Sequence, residues 1–169
     1  YSVVFTDRSM NHMSQAFQKI MYDLHAGLTS VYKAQSCVLV PGGGSFAMES
    51  VARQFARDQK VLVVRNGWFS YRWTQIFNQG VTPAHAGVAQ ARPDTNAADQ
   101  QFSPVPVDEV CARIRSEKPN LVVAPHVETS AGMLLPDSYI QALTEAAHEV
   151  GALFVLDCVA AGALWADMD

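Results

Sequence analysis

Apolar residues recur every three or four positions through residues 13–32, at Ala16 and Phe17, Ile20 and Met21, Leu24, Leu28 and Val31. That spacing predicts an amphipathic helix, and Ser14 stands where its hydroxyl can cap the first turn. The rhythm then changes. Residues 37–40 form a short unbroken apolar run ended by Pro41 and a glycine triplet, which predicts a buried strand. Helical spacing returns over residues 45–57 through Phe46, Met48, Val51, Ala52 and Phe55, and the run at 61–64 predicts another strand. Residues 68–78 predict a helix and 81–90 a strand, before a polar loop over 91–103. A helix follows at 107–117, with Asp108 and Glu109 in the first turn where the helix dipole favours them. A strand at 121–124, a helix at 137–150 closed by Gly151, and a strand at 152–156 complete the pattern.

Apolar strands of four or five residues alternating with helices predict an α/β protein with a mostly parallel sheet. A length of 169 residues fits one domain. The formal net charge of −4, with no basic run, argues against a nucleic-acid or anionic-membrane partner. No apolar run approaches the ~18 residues of a membrane span, and no signal peptide opens the chain. Cys37, Cys111 and Cys158 are widely spaced and form neither a metal pair nor a disulfide framework, so a cytoplasmic setting is expected. The histidines show no metal spacing, and no metal is expected. Because the chain opens at Tyr1 and its pattern is still running at Asp169, a segment of a longer protein is expected.

In open parallel sheets, ligands bind beyond the carboxyl ends of the strands. The predicted strands are followed by Gly42-Gly43-Gly44-Ser45, by Asn66-Gly67-Trp68-Phe69, by His126-Val127-Glu128-Thr129-Ser130, and by Asp157-Cys158-Val159. A glycine nest, an aromatic pair, hydroxyls beside a carboxylate and a lone aspartate on one rim suit an aromatic ligand bearing a phosphate. The glycines offer bare amides at a helix start, which is an anion site; the same residues also serve a tight strand-to-helix turn. Neither a Walker loop nor a G-x-G-x-x-G fingerprint is present, which weakens ATPase and dinucleotide readings. Asp157 follows a desolvated strand and asks for a cation, such as a protonated ring nitrogen. Metal ligation or bracing of a loop would also explain it. Phe69 or Trp68 can stack on a ring or pack in the core, and Trp73 and Phe77 read as core. His126 can approach the ring or bracket its loop.

Gly43-Gly44-Ser45 with Ala47-Met48-Glu49, then VLVVRNGWFSYRW, HVETSAGMLLP and VLDCVA, occur in order along nearly the whole chain. Together they resemble the class V pyridoxal-phosphate aminotransferases, among them alanine–glyoxylate and serine–glyoxylate aminotransferases, with cysteine desulfurases as cousins. The resemblance implies a fold-type-I large domain, three layers α/β/α about a mostly parallel sheet, of which residues 1–169 form a part. It implies pyridoxal 5'-phosphate as cofactor, with Gly43, Gly44 and Ser45 on its phosphate. By the same resemblance Phe69 stacks on the pyridine ring, and Val159 packs on the other face. Thr129 lies by the phenolic oxygen, and Asp157 pairs with the ring nitrogen.

Two departures stand out. Gly43 replaces the family's usual serine, and the lysine that carries the cofactor as a Schiff base lies beyond the Asp-x-Val element in the family. Lys19, Lys33, Lys60 and Lys118 all precede Asp157, so that catalytic lysine is not in the chain. The small carboxy-terminal domain and its carboxylate-gripping arginine are likewise expected outside it, as are the sheet neighbours of residues 37–40. The implied activity is transamination between a small amino acid and a keto acid such as glyoxylate or pyruvate, by a homodimer. Residues 1–169 alone are expected to be inactive. A cysteine desulfurase or lyase of the same fold is the alternative, and a non-catalytic protein binding pyridoxal phosphate or a nucleotide is another.

Overall fold

The computed structural model describes residues 10–94 and 101–162. They fall into two compact units, one ending at Val40 and the other beginning at Pro41. In the first, helix α1 (Gln15–Val31) follows its predicted course. The Ser14 hydroxyl accepts from the Phe17 amide at 3.2 Å, satisfying one of the donors that a helix start leaves free. The Tyr32 amide closes the other end on the Leu28 carbonyl.

Residues 37–40 correct the expectation of a buried strand. They adopt no strand, and Val38 is 81% exposed. An apolar run becomes a strand only when neighbours take up its backbone hydrogen bonds. Among the described residues, none pairs with this one.

The second unit is built on a four-stranded parallel sheet in the order β2-β1-β5-β8. Its strands are β1 (Lys60–Arg65), β2 (His85–Gln90), β5 (Leu121–Pro125) and β8 (Leu153–Asp157). β2 begins later than its pattern predicts. Pro83 cannot donate to a ladder, and the Ala84 amide instead bonds the Gln59 carbonyl. Two short antiparallel pairs decorate the connections: β3 (Arg92–Pro93) with β4 (Phe102–Ser103), and β6 (Val127–Glu128) with β7 (Met133–Leu134).

Alternation along the strands sorts the core into two layers. Val61, Val63, Leu121 and Val123 face α2 (Gly44–Phe55) and α3 (Trp68–Gln79), where Met48, Ala52, Trp73 and Phe77 meet them. Leu62, Val64, Val122 and Ala124 face α4 (Val107–Glu117) and α5 (Asp137–Glu149), through Ile114, Leu143 and Ala146. Central strands buried on both faces explain why β1 and β5 read as unbroken apolar runs. Each fully buried Val or Leu side chain contributes about 1.5–3 kcal/mol. The result is the predicted α/β/α layering about a parallel sheet. Within it the Tyr139 hydroxyl donates to the Val105 carbonyl at 2.7 Å, and burial pushes its pKa up to about 12. No helix among the described residues is long and apolar enough to cross a membrane.

Candidate functional site

The carboxyl ends of β1, β5 and β8 converge on the amino-terminal ends of α2 and α3. β5 and β8 end in register, with Pro125 opposite Asp157. Beyond them the chain turns through His126 into the β6–β7 hairpin, which brings Glu128 beneath the first turn of α3. There the Glu128 carboxylate accepts from the Phe69 amide at 3.0 Å and the Ser70 amide at 2.9 Å. It also accepts from the hydroxyls of Ser70 (2.6 Å) and Ser130 (2.5 Å). The Trp68 amide donates to the Ser130 hydroxyl at 2.8 Å. A carboxylate from a distant loop thus caps the helix at its positive pole.

Burial raises the pKa of Glu128, but the bonds from Ser130, Ser70 and the Phe69 amide outweigh it and hold the carboxyl below its ordinary range. Gly67 makes this approach possible. Its backbone is extended, so conformation does not require glycine there; space does. A Cβ would fall 2.5 Å from Ser130 Oγ and 2.7 Å from Glu128 Cγ.

On the α2 side, Gly43 is the N-cap, and its carbonyl accepts from the Phe46 amide. Among the described residues, none accepts from the amides of Gly44 or Ser45. Gly44 packs closely, since a Cβ there would lie 3.2 Å from Val159. At the end of β8, the Asp157 carboxylate takes the Trp73 indole N–H at 3.2 Å and the Val159 amide at 3.3 Å.

A cavity of about 240 Å³ lies between these groups. The structure brings to its wall Gly44, Ser45, Phe69, Thr129, Asp157 and Val159, residues that four separate loops supplied as candidates. Gly43 stands just outside, as the helix cap. Phe69 and Val159 are 49% and 74% exposed there, while Trp73 and Phe77 of the same α3 are buried as core. His126 does not line the cavity. It is buried, and its backbone braces the rim: its amide donates to the Asp157 carbonyl, and its carbonyl accepts from Leu135, both at 2.9 Å.

Pattern reading missed Arg72, which lines the same wall and donates from Nη1 to Ser45 Oγ at 2.5 Å. The signal was present. Arg72 follows Phe69 by three residues, a spacing that places both on one face of a helix. The Glu128 cap left no such trace, because its partners lie nearly sixty residues away.

The family model described as Aminotransferase class-V matches residues 2–164. Among solved structures, the chain is similar to ureidoglycine–glyoxylate aminotransferase from Bacillus subtilis, with 22% identity and a TM-score of 0.74. That match covers 92% of this chain and 38% of the other. Alanine–glyoxylate aminotransferase from Nostoc sp. matches at 20% identity and TM-score 0.70, over 90% of this chain and 38% of that one. Pyridoxamine–pyruvate aminotransferase from Mesorhizobium loti matches at 15% identity and TM-score 0.74, over 91% and 37%. The chain therefore spans well under half the length of the structures it resembles. At these identities the likeness is one of fold. No curated protein matches the sequence.

Proposed function

The chain belongs to the class-V aminotransferase family, and on that premise we propose that it forms part of the cofactor-binding domain of a pyridoxal-phosphate-dependent aminotransferase. The proposed reaction moves an amino group between a small amino acid and a keto acid such as glyoxylate or pyruvate. One observation carries this reading: the cavity gathers an anion-binding helix start, two exposed apolar faces and a carboxylate, contributed by separate elements.

The donor set fits the cofactor. The free amides of Gly44 and Ser45, with the Ser45 hydroxyl, suit a phosphate at the positive end of α2. Phe69 and Val159 offer apolar surfaces for a flat ring, and Asp157 offers a charge to a ring nitrogen. When bound, pyridoxal phosphate supplies an aldehyde that takes up the amino group and a ring that withdraws electrons from the α-carbon. The protein's part is to orient and polarise. Asp157 would hold the proton on the ring nitrogen, and the Trp73 indole and the Val159 amide keep its carboxylate fixed. Thr129 would donate to the phenolic oxygen, and Glu128 keeps the Phe69 backbone from shifting.

The desulfurase or lyase reading is not favoured. A desulfurase carries sulfur on a reactive thiol, and burial raises the pKa of both Cys111 and Cys158. The family match likewise does not favour the non-catalytic reading. Free Cys37, Cys111 and Cys158 support a cytoplasmic setting.

Borohydride reduction of the full-length protein, followed by peptide mass analysis, tests the proposal. The expected result is a lysine, beyond Asp157 in sequence, that carries the reduced cofactor. A protein that binds pyridoxal phosphate but leaves no lysine modified would instead be a non-catalytic binder.

A further inference from the structure

Arg72 lies within the VLVVRNGWFSYRW stretch and lines the cavity, yet the resemblance assigns it no role. Its guanidinium donates from Nη1 to Ser45 Oγ at 2.5 Å, and both residues line the cavity wall. Most other arginines of this unit are spoken for. Arg53 pairs with Glu49, Arg92 with Glu109, Arg113 with Glu117 and Arg115 with Glu149. Among the described residues, no carboxylate pairs with Arg72. The carboxylate on the same wall, Asp157, accepts from Trp73 and Val159 instead.

Positive potential therefore collects at one place. The guanidinium stands beside the first turn of α2, whose own amides carry partial positive charge and lack acceptors among the described residues. Two like-signed groups are held together here by a hydroxyl. An arginine has five N–H donors, and the bond to Ser45 uses one of them. That bond has a second effect. With its oxygen accepting from Arg72, the Ser45 hydroxyl keeps its own proton free to donate. An arginine, a serine proton and two helix amides are a tetrad of donors, and a phosphate dianion matches them.

We propose that Arg72 is a phosphate-binding residue of the cofactor site, contacting the phosphate directly and setting the Ser45 hydroxyl to donate to it. The assignment rests on the pyridoxal-phosphate reading above and extends it to a residue outside the glycine element. It also predicts that affinity depends on the phosphate more than an amide nest alone would provide.

The test compares pyridoxal 5'-phosphate with pyridoxal, which lacks the phosphate, in titrations of the full-length apoprotein followed by tryptophan fluorescence and cofactor absorbance. Wild type is expected to prefer the phosphorylated form. In Arg72→Met the affinity for pyridoxal phosphate should fall on the order of 10- to 100-fold, the range for losing a hydrogen bond between charged groups. Affinity for pyridoxal should stay unchanged. Arg72→Lys keeps the charge without the planar fork and should fall between. The ³¹P resonance of the bound cofactor should move in both variants.

Equal loss for the two ligands, or no loss, would overturn the assignment while leaving the cofactor reading intact. A wild type that binds neither ligand would overturn both. Should Arg72→Met fail to fold, Arg72→Lys decides: an undiminished preference with an unmoved ³¹P resonance refutes the role.

Discussion

Glu128 is 1% exposed, meets no cation among the described residues, and is nonetheless held ionised. Hydrogen bonds replace the missing counter-charge. Two amides and two hydroxyls converge on its oxygens, and bonds to a charged group contribute about 1.5–3 kcal/mol each. Glu128→Gln exchanges one accepting oxygen for an N–H₂ that faces donors, at about 1–3 kcal/mol for each donor left unmet. The melting temperature of the full-length protein should therefore drop by several degrees at neutral pH. The pH dependence has a definite sign. A carboxyl whose folded pKa is depressed stabilises above its unfolded value and loses that contribution as pH falls through the folded one. Calorimetry should therefore show the gap between wild type and variant widest at neutral pH and narrowing as pH drops below the ordinary 4.5. A gap that stays constant down to strongly acidic pH would mean that the charge of Glu128 is not what matters.

At the scale of elements, what positions the site is the way helix starts are finished. α1 is capped by its own Ser14, a local device written in the sequence beside it. α3 is capped by a carboxylate from the β6–β7 hairpin, which ties the loop after β5 to the helix after β1. α2 starts on glycine with no side-chain cap, so its amides remain available. Two glycine substitutions separate these cases. Gly67→Ala drives a methyl into Ser130 and Glu128, whose atoms are locked by the bonds just described, and should destabilise by about 1–3 kcal/mol. Gly43→Ala meets nothing within 4 Å, so it should lose only the N-cap preference of glycine over alanine, about 0.5–1 kcal/mol. Chemical denaturation of the two variants checks this, and equal effects would contradict the packing seen around Gly67.

At the scale of the molecule, the parallel sheet sets which loops can meet. Strand order β2-β1-β5-β8 puts β1 beside β5 and β5 beside β8, so the segments after these strands share one rim although roughly ninety residues separate Asn66 from Asp157. We propose a homodimer for the full-length enzyme, and sedimentation of the holoenzyme at twice the protomer mass is the expected outcome; a monomer would count against it. The chain covers 38% of the B. subtilis aminotransferase it resembles.

Much of this architecture could be read in advance. α4 runs over the residues its spacing predicts, because an amphipathic stripe reports a helix wherever one face meets a core. The strands β1 and β5 declared themselves by unbroken apolar runs, since both of their faces are covered. Residues 37–40 carry the same kind of run and form no strand, because apolarity is a property of the residues whereas a ladder is a property of neighbours. The β6–β7 pair went unread for a related reason: two-residue strands are too short to show a period. Order along the chain thus sufficed for layers, for the rim and for the candidate residues that follow each strand. Only the tertiary structure decided that Arg72 reaches Ser45, that Glu128 caps a helix from afar, and that Gly43 stops short of the cavity. Hydrogen bonds between distant residues act over a few ångströms in space, and no periodicity in the chain encodes that distance.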